Sequence, residues 1–365
     1  MVRIILAALI AYAALFFTAG KNIDLENLAK GEQNTSRVEL HKGIAYTAYT
    51  VKDIGALMAN RVRIDQGCKH LLWLGNSQLH YINQYHDGDH LAPYWMRQSW
   101  KVSDCLEPLG CSLPNANIQE FLILSRYAAD RIPLNLLIVE LVFDDLREDS
   151  LRGDFSEILT AESIAEIRNS SKTAEVILNR FLASYESGGG KNVLAGTIQQ
   201  PVERWLNDRI SASWKLWAVR PQIEGNFLLA LYNLRNWIFC IKPTTVRRMI
   251  HGRYELNMIA LHDLLDDFNR RKIPVLLYIA PIRQDKSIPY DPAAYARWKN
   301  DVATMADAYG LHSLVNLETL VPGNNWGSYT GDDIDFMHFQ GVGHRLVANA
   351  LLPHVQKMLS ARRPQ

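Results

Sequence analysis

The chain has 365 residues, of which 48% are hydrophobic and 21% charged. This size and composition suit one large α/β domain, or one domain with an insertion, that buries a core. The 39 Lys and Arg residues nearly balance the 38 Asp and Glu residues, and no basic motif stands out. We therefore expect no nucleic-acid partner, because proteins that bind nucleic acids present a basic surface.

The N-terminal end differs in kind from the rest of the chain. An apolar run extends from Ile4 to Ala19, with Arg3 before it and Lys21 after it. Its length, roughly 16 residues, lies between that of a signal-peptide core and that of a short membrane span. Residues 1–20 are therefore predicted to form an uncleaved signal anchor. A cleaved signal peptide and a helix buried in the folded domain are the alternatives.

The anchor prediction places the rest of the chain outside the cytoplasm, because the basic flank stays inside and no second span follows. The segment 227–241 is apolar, but Asn233, Arg235 and Asn236 make it a poor span. We expect a single-pass protein of the cytoplasmic (inner) membrane with a periplasmic domain, or a secreted protein if the signal is cleaved. Residues 21–50 are polar without a clear period and are predicted to form a stalk.

From residue 51 onward, helical and strand-like patterns alternate. The first predicted elements are a helix at 51–63, a strand at 70–74, a helix at 77–85, a strand at 111–113, a helix at 118–130 and a strand at 134–143. The later ones are a helix at 261–271, a strand at 273–280, a helix at 293–309, a strand at 313–317 and a helix at 343–359. Such alternation predicts an α/β fold with a mostly parallel sheet covered by helices on both faces.

The segment 150–250 interrupts this alternation. It contains a run of three glycines, 188–190, and helical patterns that carry four tryptophans. We interpret it as a helical insertion, so that the α/β domain consists of residues 51–149 and 251–365. Ligands of such domains bind beyond the carboxyl ends of the strands.

Four cysteines allow at most two disulfides. Cys105 and Cys111 are six residues apart, which permits a local bridge in an oxidising compartment. Two unbridged cysteines, buried as small apolar side chains, fit the sequence equally well. No Cys-x-x-Cys pair is present, so structural zinc is not expected. His86, Asp87, Asp89 and His90 are metal-ligating residue types, but Gly88 and the polar composition are typical of a solvated turn, and we expect no metal or cofactor.

Ser77 is the first candidate for chemistry. It follows the predicted strand at 70–74 in the sequence Gly75-Asn76-Ser77, on the turn that leads into a helix. There its hydroxyl is exposed, and its backbone N–H lies where developing negative charge is favoured. A plain helix-capping serine fits the same position. Because serine is a poor nucleophile without a base, the functional interpretation requires a histidine nearby.

Two Asp-x-x-His segments are candidates to supply that histidine. Asp87 and His90 lie in a polar loop soon after Ser77, whereas Asp335 and His338 lie between the last strand and the last helix. The spacing lets a carboxylate hold one imidazole nitrogen while the other faces the serine. Only the second segment is at the correct end of the sheet, and we therefore assign it as the partner.

A Gly-Asn-Ser turn after the first strand and an Asp-x-x-His segment before the last helix resemble the SGNH (GDSL-like) hydrolase superfamily. The resemblance covers residues 70–80 and 333–350. It implies a flavodoxin-like three-layer sandwich with a Ser-Asp-His triad. In this interpretation Ser77 is the nucleophile, His338 the base and Asp335 the residue that orients the base.

The middle blocks of the chain depart from this family's pattern. The family uses a glycine N–H and an asparagine as oxyanion donors, whereas this chain offers Asn115 or Asn117 at the first position and Asp144 at the second. Arg283 and Arg147 follow predicted strands, and either could hold an anionic substrate group or form surface salt bridges.

Together with the predicted anchor and insertion, these departures make the chain similar to membrane-anchored SGNH proteins that work beside membrane-bound O-acyltransferases. That group includes the D-alanine transfer protein of teichoic-acid operons and acetyltransferases of exopolysaccharide operons. The resemblance implies transfer of an acyl group onto, or off, a cell-envelope glycopolymer or its lipid-linked carrier. A plain extracytoplasmic esterase and a non-catalytic polymer-binding partner of the acyltransferase are the alternatives.

Overall fold

A six-stranded parallel sheet forms the centre of the fold in the computed structural model, which describes residues 34–61, 67–101, 105–187, 245–328 and 334–360. The strands are, in chain order, β1 (Asn34–Ser36), β2 (Leu40–His41), β3 (Ile44–Ala45), β4 (Thr47–Ala48), β5 (Lys69–Gly75), β6 (Tyr81–Asn83), β7 (Leu106–Ser112), β8 (Leu134–Leu141), β9 (Val275–Ile279), β10 (Ser313–Asn316), β11 (Trp326–Ser328) and β12 (Ile334–Phe339). The order across the main sheet is β10-β9-β8-β5-β7-β4.

The five longer strands of this sheet follow the order of flavodoxin-like sheets. Counted along the chain, β7, β5, β8, β9 and β10 run 2-1-3-4-5, and β4 adds a short parallel edge strand beside β7. The chain crosses from one side of β5 to the other between β7 and β8, which makes the β5–β8 boundary the switch point where ligands of such sheets bind. The predicted α/β fold with a parallel sheet is confirmed.

Both faces of the sheet are buried, which explains the continuous apolar runs of its strands. Leu72 and Leu137 point into one core and Trp73 and Ile138 into the other, because successive side chains of a strand alternate between faces. The fold therefore has three layers.

Nine α-helices form in the described ranges. They are α1 (Val51–Arg61), α2 (Ser77–His80), α3 (Ala92–Ser99), α4 (Ile118–Ala129), α5 (Ala161–Ser170), α6 (Lys172–Ser187), α7 (His251–Arg270), α8 (Pro292–Asp307) and α9 (Gly341–Ser360). Helices α1, α4, α7 and α8 contribute to the first core, and α3 and α9 contribute to the second.

Two predicted elements have different bounds in the structure. The helix predicted at 77–85 ends at His80, because the following residues form β6 and pair with β1 in antiparallel register. The strand predicted at 111–113 is the longer β7, whose Pro108 and Gly110 make its sequence atypical of a strand.

Residues 34–50 do not form the predicted stalk. They contain β1 to β4, and β4 joins the main sheet while β1 pairs with β6. These strands are only two or three residues long, so their sequence carries no period from which to predict them. The predicted anchor at 1–20 lies outside the described residues. In the ranges described, no helix combines the length and the apolar character needed to cross a bilayer.

The predicted insertion at 150–250 is described only in part. Its first section contains α5 and α6, which pack on each other and contact α4. Residues 188–244 lie outside the described residues. Arg247 then pairs with Tyr290 in an isolated parallel β-bridge, and the chain re-enters the α/β domain there.

The structure corrects the cysteine pairing. Cys105 is bonded to Cys68, and Cys111 is a buried free thiol whose pKa is raised by burial to about 12. Cys68 and Cys105 each precede one of two adjacent parallel strands, in which Lys69 pairs with Leu106. An extended strand separates Cys105 from Cys111 by about 20 Å, which excludes a local bridge.

We predict that loss of this bridge destabilises the domain. The two cysteines are 37 residues apart, and closing a loop of that length contributes about 3–4 kcal/mol in the chain-entropy account. Cys68→Ser and Cys105→Ser should therefore lower the free energy of unfolding by similar amounts in urea titrations. In the native protein, Cys111 should resist thiol reagents without denaturant. Labelling of Cys105 in the unreduced native protein would contradict the assignment.

Candidate active site

Ser77 begins helix α2 directly after β5, at the switch point of the sheet. Gly75 ends the strand, and Asn76 caps the helix by accepting a hydrogen bond from the Gln78 N–H at 2.9 Å. A Cβ atom at Gly75 would lie 2.5 Å from Glu140 Oε2, so a larger residue would clash there. The turn that carries Ser77 is thus closely packed on β8.

Ser77, His338 and Asp335 form a chain of hydrogen bonds, although His338 is 261 residues beyond Ser77. His338 Nε2 lies 2.9 Å from Ser77 Oγ, and His338 Nδ1 lies 2.9 Å from Asp335 Oδ2. With the proton on Nδ1, the imidazole donates to the carboxylate and accepts from the serine hydroxyl. The structure therefore brings together the three residues that the sequence assigns to a triad.

Asp335 is fully buried and accepts hydrogen bonds on both carboxylate oxygens. Oδ1 accepts from the backbone N–H of Met337 at 2.8 Å and of His338 at 3.0 Å. Oδ2 accepts from the side chains of Asn34 at 3.1 Å and Asn83 at 3.0 Å, as well as from His338. Burial acts to raise the pKa of Asp335, but the attraction of His338 and these hydrogen bonds outweigh it and lower the pKa to about 2. The carboxylate is charged at neutral pH.

Two further buried acids hold the turn on which Ser77 lies. Glu140, on β8, accepts from the Asn76 N–H at 2.9 Å, and Asp145 accepts from the Asn76 side chain at 3.2 Å and from the Val142 N–H at 3.0 Å. Asn76 is thus held through its backbone and its side chain, which restricts the position of the neighbouring serine.

These two acids differ from Asp335 in their protonation. Burial raises the pKa of Glu140 to about 8, and the hydrogen bonds from Asn76 and Tyr278 offset only part of that effect. Burial likewise raises the pKa of Asp145 well above its usual range. Tyr278, on β9, accepts a hydrogen bond from Trp73 Nε1 at 3.2 Å. Glu140 therefore retains its proton at neutral pH and adds no charge beside the serine.

Gln78 connects the serine turn to the segments that follow two other strands. Its side-chain amide donates to the carbonyl of Pro281 at 3.0 Å and to that of Met337 at 2.8 Å. Pro281 follows β9, and Met337 precedes His338. This buried amide therefore fixes the turn that carries the serine against the strand that carries the histidine.

The competing Asp-x-x-His segment lies elsewhere. His90 Nδ1 is 2.9 Å from Glu39 Oε2, and its ring stacks on Tyr94 with a centroid separation of 3.6 Å. Asp89 accepts from the His86 N–H within the same loop. The contacts of this segment are structural, and the nitrogen that faces Ser77 belongs to His338.

Three of the four residues predicted for oxyanion or substrate contacts have other partners in the structure. Asn117 caps α4 and donates to the Ser150 carbonyl at 2.8 Å, while Asn115 is exposed in a left-handed conformation with φ of 50°. Asp144 forms ion pairs with two arginines and accepts from a tyrosine hydroxyl. Arg283 pairs with Asp285 and donates to backbone carbonyls beside the site. These contacts give Asn117, Asp144 and Arg283 structural roles at the periphery of the site.

Sequence reasoning missed Asn34, Asn83, Gln78, Glu140 and Asp145. Glu140 had a usable signal, because it is the one charged residue in the apolar strand β8 and a buried charge requires partners. The two asparagines gave no such signal, since each lies in a strand of only three residues, too short to show a period.

Comparisons with known proteins leave the family open. No protein-family profile and no curated protein sequence matches the chain. Among solved structures, it is similar to a carbohydrate acetylesterase family member from Sinorhizobium meliloti, with 12% identity, a TM-score of 0.35, and coverage of 80% of this chain and 99% of that one. It is also similar to a protein from Bacteroides fragilis named as an acylhydrolase, with 11% identity, a TM-score of 0.39, and coverage of 84% and 95%. At such TM-scores neither similarity indicates a function, and the geometry around Ser77 is the basis for one.

We predict that Glu140 makes the fold less stable as pH rises. The folded protein keeps this proton to about pH 8, whereas the unfolded chain releases it near the ordinary value of 4.5. Between these values unfolding releases a proton, so the free energy of unfolding falls by up to about 1.4 kcal/mol per pH unit. Glu140→Gln should remove that part of the slope in urea titrations from pH 5 to 8. The exposed Glu157→Gln serves as control, and equal slopes in both variants would refute the prediction.

Proposed function

We propose that this protein is an exported serine acyl-ester enzyme that transfers or removes an acyl group on a cell-envelope glycopolymer. The observation that carries the proposal is the 2.9 Å contact between Ser77 Oγ and His338 Nε2, with Asp335 on the other imidazole nitrogen. A non-catalytic polymer-binding domain has no need of this contact, and the geometry therefore favours catalysis over binding alone.

In the proposed reaction, His338 Nε2 takes the Ser77 proton as Oγ attacks the acyl carbonyl. The Ser77 backbone N–H, at the start of α2, is one donor for the oxyanion of the tetrahedral intermediate. His338 then returns the proton to the departing alkoxide, and an acyl-enzyme remains. A hydroxyl of the polymer, or water, then attacks the acyl-enzyme with His338 as its base, and the protonated imidazole returns the proton to Ser77 as the acyl group leaves. Asp335 stabilises the imidazolium through Nδ1 and stays ionised.

The envelope setting is supported by two features of the chain. One is the apolar run from Ile4 to Ala19, and the other is the bridge between Cys68 and Cys105, since disulfides persist in oxidising compartments. In this proposal the apolar run anchors the chain to the membrane, and the described domain begins soon after it, with β1 at Asn34. The proposed site would then work close to the bilayer, on a lipid-linked carrier or nascent polymer, beside a membrane-bound O-acyltransferase.

We predict that Ser77→Ala lowers turnover of p-nitrophenyl acetate by at least about 10³-fold, because the substitution removes the nucleophilic oxygen. His338→Gln should lose as much, since the base acts in every proton transfer. Asp335→Asn should retain a measurable fraction, because the carboxylate only orients and stabilises the base. Turnover by purified enzyme and thermal unfolding are measured together.

His90→Gln is the matched control for the histidine, because it alters the competing Asp-x-x-His segment. It should leave turnover within about twofold of the native value. Full activity of a folded Ser77→Ala protein would refute the nucleophile assignment. Glycopolymer binding without any turnover would instead favour the binding partner.

The proposed topology predicts an extracytoplasmic domain. Alkaline phosphatase fused after residue 33, just before β1, should be active in cells, and green fluorescent protein at the same place should be dark. The reverse pattern would remove the envelope substrate and leave an intracellular esterase. Fractionation of the native protein then separates the anchored form from the secreted one.

A further inference from the structure

We propose that Asn34 and Asn83 form a clamp that positions Asp335, so that one residue of the first described strand, Asn34, helps to arrange the triad. The inference rests on the proposed function and assigns it two residues. Both are positioning residues, because each acts through Asp335.

The two asparagines face the same carboxylate oxygen from adjacent strands. Asn34 on β1 is the register partner of Asn83 on β6, so their side chains point to the same side of this small sheet. Both Nδ2 atoms donate to Asp335 Oδ2, at 3.1 and 3.0 Å, and Asn34 Nδ2 also lies 3.4 Å from His338 Nδ1. Pairing of β1 with β6 thus delivers two donors to one atom.

The structure restricts Asn83 to this position. Its side chain is fully buried, and a Cβ atom at Gly327 on β11 would lie 1.7 Å from Asn83 Cγ. Only glycine leaves room for the carboxamide there. Arg283 donates to the Gly327 carbonyl at 2.8 Å, which keeps β11 against the amide. A residue that merely filled space would not require this close approach.

The chemistry of the clamp suits a triad carboxylate. Two backbone N–H groups hold Oδ1, and the two asparagines with His338 hold Oδ2, so that a group with about four acceptor sites receives five donors. The carboxylate cannot rotate without losing several hydrogen bonds. Asparagine is also neutral, so it fixes Asp335 without cancelling the negative charge that stabilises the imidazolium. A lysine or arginine in the same place would cancel that charge.

The first test compares Asn34→Ala, Asn34→Asp and the control Thr35→Ala with p-nitrophenyl acetate. Thr35 is exposed on the opposite side of β1 and should leave kcat and KM unchanged. Asn34→Ala should lower kcat about tenfold at unchanged KM, because the clamp does not touch substrate. Asn34→Asp should be worse despite its equal size, since it replaces a donor by a like charge. A space-filling role predicts the reverse order.

The second test asks whether the effect passes through Asp335. In an Asp335→Ala background, Asn34→Ala should have no further effect on kcat, whereas an independent structural role would give multiplied losses. Thermal unfolding of each variant identifies misfolding. Asn83→Ala should lower kcat in the same way, and should it fail to fold, Asn34→Ala still decides the question.

The outcomes separate the clamp from the proposed function. If the native protein and Ser77→Ala show the same turnover, the proposed function is wrong. If Ser77→Ala is inactive while Asn34→Ala keeps native kcat, or if its loss multiplies with that of Asp335→Ala, the clamp alone is wrong. The downfield proton resonance of His338 Nδ1–H reports the Asp335 contact without turnover. It should shift in Asn34→Ala and stay unchanged in Thr35→Ala, and no shift in Asn34→Ala would overturn the clamp.

Discussion

A fully buried carboxylate at Asp335 governs the arrangement of the segments around the site. Removing an ionised carboxylate from water costs several kcal/mol unless donors replace the lost hydration. Here the replacements come from three places in the chain: the backbone beyond Asp335, β6 and β1. Strands β1 and β6 both reach the Asp335 carboxylate, and each supplies a donor that replaces part of its lost hydration. The histidine held by the same carboxylate then meets the serine at the switch point of the sheet.

Two environments of equal burial give opposite charge states within the site. Asp335 has an imidazole and four further donors, and its pKa is about 2, whereas Glu140 has one backbone donor and a tyrosine, and its pKa is about 8. Asp335, which contacts His338, is therefore negatively charged, whereas Glu140, which contacts the turn that carries Ser77, is neutral. In the proposed reaction this separation would favour proton transfer from serine to histidine, since a charged Glu140 would oppose the developing oxyanion.

The sequence predicted the parts of this site that depend on local patterns. Two features can be recognised in the sequence alone: the apolar strand before Gly75 and the short spacing of Asp335 and His338. The order of the elements along the chain then places Ser77 and His338 at the same edge of the sheet. The contributions of Asn34 and Asn83 are not visible, because they depend on register between strands too short to show a period. The disulfide was missed for a similar reason: spatial neighbours in parallel strands are distant in sequence. Only Glu140, a lone acid in an apolar strand, could have been found.

The proposed function depends on Ser77 being a nucleophile that His338 activates, and covalent trapping tests this most directly. The native protein and His338→Gln are incubated with a fluorophosphonate, and the adduct is located by peptide mass spectrometry. We expect a single adduct on Ser77 in the native protein and labelling slower by orders of magnitude in His338→Gln, as activation by the histidine requires. An adduct on another serine, or equal labelling rates in the two proteins, would contradict it.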